Sequence, residues 1–244
     1  MDWLIIIIAG FTAGMLNAIA GGGSFITLPA LTLIGIPPIM ANATGTAALL
    51  PGYIASVWRF RHDIKAVPSL PFLPLFYLAL SGGAMGASLL LLGSDALFTI
   101  IIPWLILVAT LLFLFKDRLT NRRKSTKQSL STVVSSLIFF IICVYGGYFN
   151  GGIGVILLTA FSFLGMQNLK EMNGLKNLVS AILTSIAVCI YIIGGKIEWL
   201  PALIMGISAA TGGYIGASIS YKIADKWVIW VIIGTGFTSF IYFI

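Results

Sequence analysis

Charge is what this chain has least of: Asp, Glu, Lys and Arg together make up 9% of 244 residues. A soluble domain devotes about a quarter of its residues to charge, so a soluble fold is excluded. The seven acids are Asp2, Asp63, Asp95, Asp117, Glu171, Glu198 and Asp225, and all fall at the ends of apolar stretches or between them. With no carboxylate deep in an apolar run, a buried carboxylate proton relay is not expected. There is no paired acid and no Ser/His/Asp set, and the single histidine, His62, sits among loop charges, so no enzyme chemistry is expected. Cysteine is nearly absent too. Cys143 and Cys189 lie inside apolar segments without Cys-x-x-Cys spacing, as small core residues do. No metal and no cofactor is implied. The apolar stretches also lack the polar–apolar alternation of barrel strands, which leaves helices. The first stretch has no basic leader and runs into glycines, so it is expected to be membrane helix rather than a cleavable signal peptide.

What remains is 59% hydrophobic and 27 glycines. That composition implies an integral membrane protein. The stretch Asn17-Ala18-Ile19-Ala20-Gly21-Gly22-Gly23-Ser24 interrupts an apolar run from Trp3 to Ile34. Three successive glycines disfavour an unbroken helix, at about 1 kcal/mol each against alanine. Irregular backbone at membrane depth is tolerated only where protein buries it or where it lines a watery cavity. The segment restarting at Ser24 and ending at Ile34 reaches roughly 16 Å, about half of a 30 Å hydrocarbon core. Its free N–H groups and positive dipole end would favour an anion. A second break, Asn150-Gly151-Gly152-Ile153-Gly154, precedes another short segment, Val155 to Leu164.

The spans expected after the first break are Asn42 to Trp58, Leu70 to Leu92 and Ala96 to Phe115. After the polar stretch Lys116 to Ser131, the pattern restarts with Thr132 to Tyr148, then Leu175 to Ile193, Trp199 to Ile219 and Trp227 to Ile244. Ser81-Gly82-Gly83-Ala84-Met85-Gly86-Ala87-Ser88 matches Thr211-Gly212-Gly213-Tyr214-Ile215-Gly216-Ala217-Ser218, a register that also puts Gly35 on Gly165 and Gly21-Gly22 on Gly151-Gly152. Glycines spaced this way serve close helix packing. Cations orient the copies. Arg59, Arg61 and Lys65 place one loop in the cytoplasm, as do Lys116, Arg118, Arg122, Arg123, Lys124 and Lys127 for the polar stretch. In the second copy the preference reverses: Gly194 to Glu198 holds Lys196 against Glu198, whereas Tyr221 to Lys226 holds Lys222 and Lys226. The expected architecture is an all-α polytopic membrane protein of two inverted repeats. They cover residues 1–115 and 132–244, joined by a basic cytoplasmic linker at 116–131. Each has one broken, re-entrant pair plus three spanning helices, with both termini outside. Secondary transporters are built this way. The net charge of +7 is a matter of loop topology and the lipid surface, not of nucleic acid.

A second polar cluster, Asn42-Ala43-Thr44-Gly45-Thr46, has the repeat partner Asn173-Gly174-Leu175-Lys176-Asn177, which sets Thr46 on Lys176. A lysine one or two turns into an apolar span is costly, so it either snorkels to the interface or faces a functional cavity. Facing the cavity, Lys176 would supply positive charge, with Thr44, Thr46, Asn173 and Asn177 as hydrogen-bond donors to oxyanion oxygens.

The run from Asn17 through Ser24 to Leu31, followed by Gly35-Ile36-Pro37-Pro38 and Ala41-Asn42-Ala43-Thr44-Gly45-Thr46, resembles the TauE/SafE family of sulfite exporters and toluenesulfonate uptake permeases, over essentially the whole chain. The resemblance implies a multi-pass carrier of small sulfur-containing anions in the bacterial inner membrane. Sulfite, thiosulfate, sulfoacetate and other organosulfonates are the class. The second copy departs from the first where Ile153 replaces Gly23 and Lys176 replaces Thr46. The expected binding residues are Asn17, Gly22, Gly23, Ser24, Thr44, Thr46, Asn150, Gly152, Gly154, Lys176 and Asn177. Carriage of another organic anion such as a carboxylate, or a membrane scaffold that moves no solute, are the competing readings. The lysine and the lack of deep acids or thiol pairs argue against a metal cation. Partners are the anion and the lipid bilayer, and self-association as a homo-oligomer is left open.

Overall fold

The computed structural model describes residues 2–67, 70–115, 131–220 and 225–244. Ten helices and no strand occur among them. They are α1 (Asp2–Ile19), α2 (Ser24–Leu33), α3 (Pro38–Phe60), α4 (Phe72–Leu92), α5 (Asp95–Leu114), α6 (Thr132–Tyr148), α7 (Ile153–Phe163), α8 (Leu169–Ile193), α9 (Trp199–Ile219) and α10 (Asp225–Phe243). The expected cations from Lys116 to Lys127, and Lys222, lie outside the described residues. Four helices are long and apolar enough to cross a membrane by length and composition: α4, α5, α8 and α9. The chain is an all-helical, multi-pass membrane protein.

Both breaks form where glycine was expected to interrupt the helix. The 18 residues of α1 are about 27 Å long and the 10 of α2 about 15 Å, and Gly23, just before α2, lies back against Ala13 and Asn17 of α1. The 17 and 11 residues of α6 and α7 make a second long and short pair. Each connector turns on a left-handed glycine, Gly21 at φ 89° and Gly152 at φ 72°, a conformation costly for any residue with a Cβ. These two glycines are one position out of the repeat register, so the breaks are not superimposable residue by residue. Two helices begin a full turn or more before the expected position. α3 starts at Pro38, because Pro37 and Pro38 suit a helix start, and α8 starts at Leu169, where Asn168 caps the Lys170 N–H at 2.9 Å. Asn42, Thr46 and Lys176 therefore sit inside helices.

Packing is organised by the glycine motifs. Gly82 and Gly86 of α4 lie against Cys143 and Gly147 of α6, and Gly83 lies against Leu183 of α8. In the matching motif, Gly212 and Gly216 of α9 lie against Phe11 and Met15 of α1, and Gly213 lies against Gly52 of α3. A Cβ at any of these six would enter neighbouring backbone or side chain, so they serve close packing, as expected. The registers give directions. Gly10 faces Met205 and Gly14 faces Ala209, so α1 and α9 run parallel; Ala48 faces Gly206 and Gly52 faces Gly213, so α3 joins them. By the same argument α4, α6 and α8 run parallel to one another. Each long helix of one half thus packs mainly on helices of the other.

Candidate functional site

The two breaks touch. A Cβ on Gly154 would stand 2.5 Å from the Gly21 Cα and 3.0 Å from the Ala20 carbonyl oxygen. Glycine at both places lets the two backbones meet with nothing between them. Gly22, Gly23, Ser24, Gly151 and Gly152 beside this contact are all buried. Tyr145 fixes the second connector by donating its hydroxyl to the Gly151 carbonyl at 2.6 Å.

Lys176 reaches this place from α8 and is fully buried. It does not snorkel. Its ammonium donates to the carbonyls of Asn17 at 3.1 Å and Ala18 at 2.9 Å, and its Cδ lies beside Gly154. The last carbonyls of α1 have no helical partner and carry the negative end of the helix dipole, which offsets part of the cost of burying an unpaired cation. Asn177 adds a longer bond to the Ala18 carbonyl at 3.4 Å and one to Asn173 at 2.9 Å. Among the described residues, the partners of the Lys176 ammonium are carbonyl oxygens and not carboxylates.

A second polar layer joins the halves. Tyr53 of α3 is buried, and its hydroxyl lies 3.3 Å from Asn17 Oδ1 and 3.0 Å from Asn150 Oδ1. Its one proton can serve only one acceptor at a time. Asn17 Oδ1 also accepts from the Gly23 N–H at 3.4 Å, which ties the end of α1 to the start of α2. Asn150 donates onward to Thr184 at 3.4 Å. Around this layer the hydroxyl oxygens of Ser24 and Thr27 and Asn177 Oδ1 are buried with no hydrogen-bond partner, and the Ser180 hydroxyl lies beside Tyr53. Buried orphans of this kind call for an explanation, and a missing ligand is one.

Of the expected residues, the structure brings together Asn17, Gly22, Gly23, Ser24, Asn150, Gly152, Gly154, Lys176 and Asn177 on the two breaks and the helix faces against them. Thr44 is buried but turned elsewhere, since its hydroxyl accepts the Glu198 N–H at 3.0 Å and so holds the turn before α9. Thr46 is buried one turn beyond Asn42, whose amide donates to the Tyr148 carbonyl at 3.1 Å at the end of α6. Tyr53, Thr184, Thr27 and Ser180 were not anticipated. A signal for Tyr53 existed: the repeat register sets it on Leu183, so one copy carries a hydroxyl where the other is apolar.

Outside the apolar helices, Lys65 of the α3–α4 connection pairs with Glu171 in the first turn of α8 at 2.5 Å. Glu171 raises the Lys65 ammonium above the usual lysine range, chiefly by the hydrogen bond it accepts. Arg59 donates to Ser218 at 3.3 Å near the end of α9.

Ten helices with broken pairs meeting inside the bundle, and polar groups converging where they meet, define a membrane transporter. The known proteins this chain resembles are of that class. The chain belongs to the sulfite exporter TauE/SafE family, whose model matches residues 6–243. It is 32% identical over 224 residues to a "Probable membrane transporter protein" of Haemophilus influenzae, covering 88% of this chain and 84% of that one. A protein of the same description from Escherichia coli is 26% identical, covering 91% and 82%, and one from Bacillus subtilis is 21% identical, covering 95% and 93%. No solved structure matches the chain.

Proposed function

We propose that the chain carries a small sulfur-containing anion, of the class of sulfite, thiosulfate, sulfoacetate and other organosulfonates, across a bacterial inner membrane. The anion binds where the two breaks meet. The observation that carries this reading is Lys176: a fully buried ammonium beside Gly154, with only carbonyl oxygens as partners. Such a group is costly unless something negative comes to it. The start of α2 at Ser24 and of α7 at Ile153 add positive dipole ends at the same place. Asn17, Asn150 and Tyr53 then give directional hydrogen bonds to the oxyanion oxygens, and Asn177 does so when its amide N–H leaves the Ala18 carbonyl.

The chain is built as two repeats, 1–115 and 132–244, joined by the basic linker 116–131 and inverted across the membrane. Two observations support this: the swapped glycine contacts, and the shared direction of α1, α3 and α9 against that of α4, α6 and α8. Inverted broken helices give a site that can be opened to either side by moving one half against the other. An inside-negative potential favours expulsion of a negative charge by about 2.3 kcal/mol per 100 mV, so export needs no coupling ion and accumulation does.

The test is thermal unfolding of the purified protein with a panel of sulfur oxyanions and matched carboxylates, followed by flux in proteoliposomes. Saturable stabilisation by sulfite, thiosulfate or a sulfonate, stronger than by the matching carboxylate, is expected. A preference for carboxylates would reassign the solute, and no shift across the panel would favour a scaffold.

A further inference from the structure

The two breaks differ in charge, and the difference points to a second ligand. At the end of α1 the free carbonyls of Asn17 and Ala18 are met by a cation, the Lys176 ammonium. The repeat register sets Thr46 where Lys176 stands. At the corresponding end of α6 the carbonyls of Gly147 and Tyr148 are met by neutral donors, the Tyr191 hydroxyl at 2.5 Å and the Asn42 amide at 3.1 Å. Asn42 Oδ1, on the amide that reaches Tyr148, and Thr46 Oγ1, one turn further along α3, are buried with no partner, each residue 2% exposed. The two stand one turn apart on α3, on the face that reaches the end of α6.

We propose that a sodium-sized monovalent cation binds at the end of α6, with Asn42 Oδ1, Thr46 Oγ1 and last-turn carbonyls as ligands, in the place that the Lys176 ammonium holds at the end of α1. The donor set decides the class of ion. Amide, hydroxyl and carbonyl oxygens are hard and neutral, which suits an alkali cation. Calcium or magnesium would draw on carboxylates; of the two acidic residues the structure brings to this stretch of α3, Asp95 is engaged with the Ile39 N–H at 2.9 Å, and Glu198 is met through its backbone N–H by Thr44, two positions round the helix from both Asn42 and Thr46. None of these oxygens is a base at neutral pH, so a proton is not the ion. The negative dipole end of α6 supplies the attraction. The inference rests on the carrier reading above and extends it: each break would then hold one positive charge, one built in and one recruited, on either side of the anion. Import of the anion would follow the sodium gradient.

The experiment is equilibrium binding of radiolabelled sodium to the purified full-length protein in choline chloride, with no sulfur anion present, together with thermal unfolding in sodium against potassium or choline. Saturable sodium binding that potassium competes for poorly is expected. Thr46→Val, which keeps the shape and removes one ligand, is expected to weaken it about tenfold, the effect of about 1.4 kcal/mol. Thr46→Lys is expected to abolish binding and leave unfolding indifferent to sodium, because its ammonium fills the place; should that variant fail to fold, Thr46→Val carries the test. Absence of saturable sodium binding in the wild-type protein, or unchanged binding in Thr46→Val, overturns the cation site. Sodium binding without any sulfur-anion binding or flux would sustain this site and refute the anion reading. Anion flux equal in sodium and choline, with no sodium bound, would do the reverse.

Discussion

Replacing Lys176 by methionine removes the buried positive charge and keeps most of the volume. In the empty protein two effects oppose each other. The ammonium makes two charge-assisted hydrogen bonds, at 3.1 and 2.9 Å, each contributing about 1.5–3 kcal/mol net. Burying it costs several kcal/mol, which methionine avoids. The Ala18 carbonyl also keeps the longer bond from Asn177. The two contributions nearly cancel, so the unfolding midpoint should move little. Anion binding has no such cancellation. At about 4 Å and an effective dielectric near 20, a unit anion and the ammonium attract by about 4 kcal/mol. Release of the ammonium from the α1 carbonyls offsets part of this. The expected loss of affinity is therefore about tenfold to a thousandfold. Isothermal titration of wild type and Lys176→Met with thiosulfate or sulfite, beside their unfolding curves, reads both quantities. Unchanged affinity in a folded variant would refute the role given to Lys176. A collapse of the fold with no separable effect on binding would show the lysine to be only a clasp on α1.

How much of this was legible beforehand follows from what each residue type does in lipid. Consecutive glycines weaken a helix without ending it, since Gly82-Gly83, Gly146-Gly147 and Gly212-Gly213 all lie within helices; an asparagine before the glycines and a short apolar segment after them made both breaks readable. Small residues at spacings of three and four pack helices, which is what the motifs at 81–88 and 211–218 do. A lysine within an apolar run was visible as an anomaly, but not whether it would snorkel. Its end point depends on α1 presenting free carbonyls from the other half of the chain, which no local pattern records. Tyr53 was hidden because tyrosine is common in membrane helices and its hydroxyl matters only through Asn17 and Asn150, 36 and 97 residues away. The place of Thr44 could not be read from its proximity to Thr46: two positions turn a helix by more than half a circle and carry its hydroxyl to the Glu198 N–H. The one-position shift between Gly21 and Gly152 is a connector detail that an averaged repeat register cannot show.

Three further outcomes are expected. Tyr53→Phe leaves the buried Asn150 oxygen short of a donor, while Asn17 keeps the Gly23 N–H, and should cost about 1–3 kcal/mol of stability with a larger loss of flux, read by unfolding and by proteoliposome transport; wild-type values in both would remove Tyr53 from the site. Gly21→Ala forces a left-handed backbone on a residue with a Cβ and drives that Cβ into Gly154, so destabilisation of about 2 kcal/mol or more should appear as a lowered midpoint, and an unchanged midpoint would mean the breaks do not touch. Because Glu171 raises the Lys65 ammonium, the pair stabilises the fold fully below the ordinary lysine range and loses its effect as pH rises through the raised value. The difference between wild type and Glu171→Gln should therefore be present at neutral pH, small at this exposed site, and vanish in strong alkali; a difference that grows with alkali would contradict the pairing.

The most direct measurement is a cryo-EM map of the purified protein with thiosulfate, compared with one without it. A non-protein feature in contact with the Lys176 ammonium and the Gly154 backbone, present only with the anion, is the expected result. Density at the crevice between Gly35, Thr99 and Tyr242 instead, with Lys176 still bonded to Asn17 and Ala18, would contradict the account.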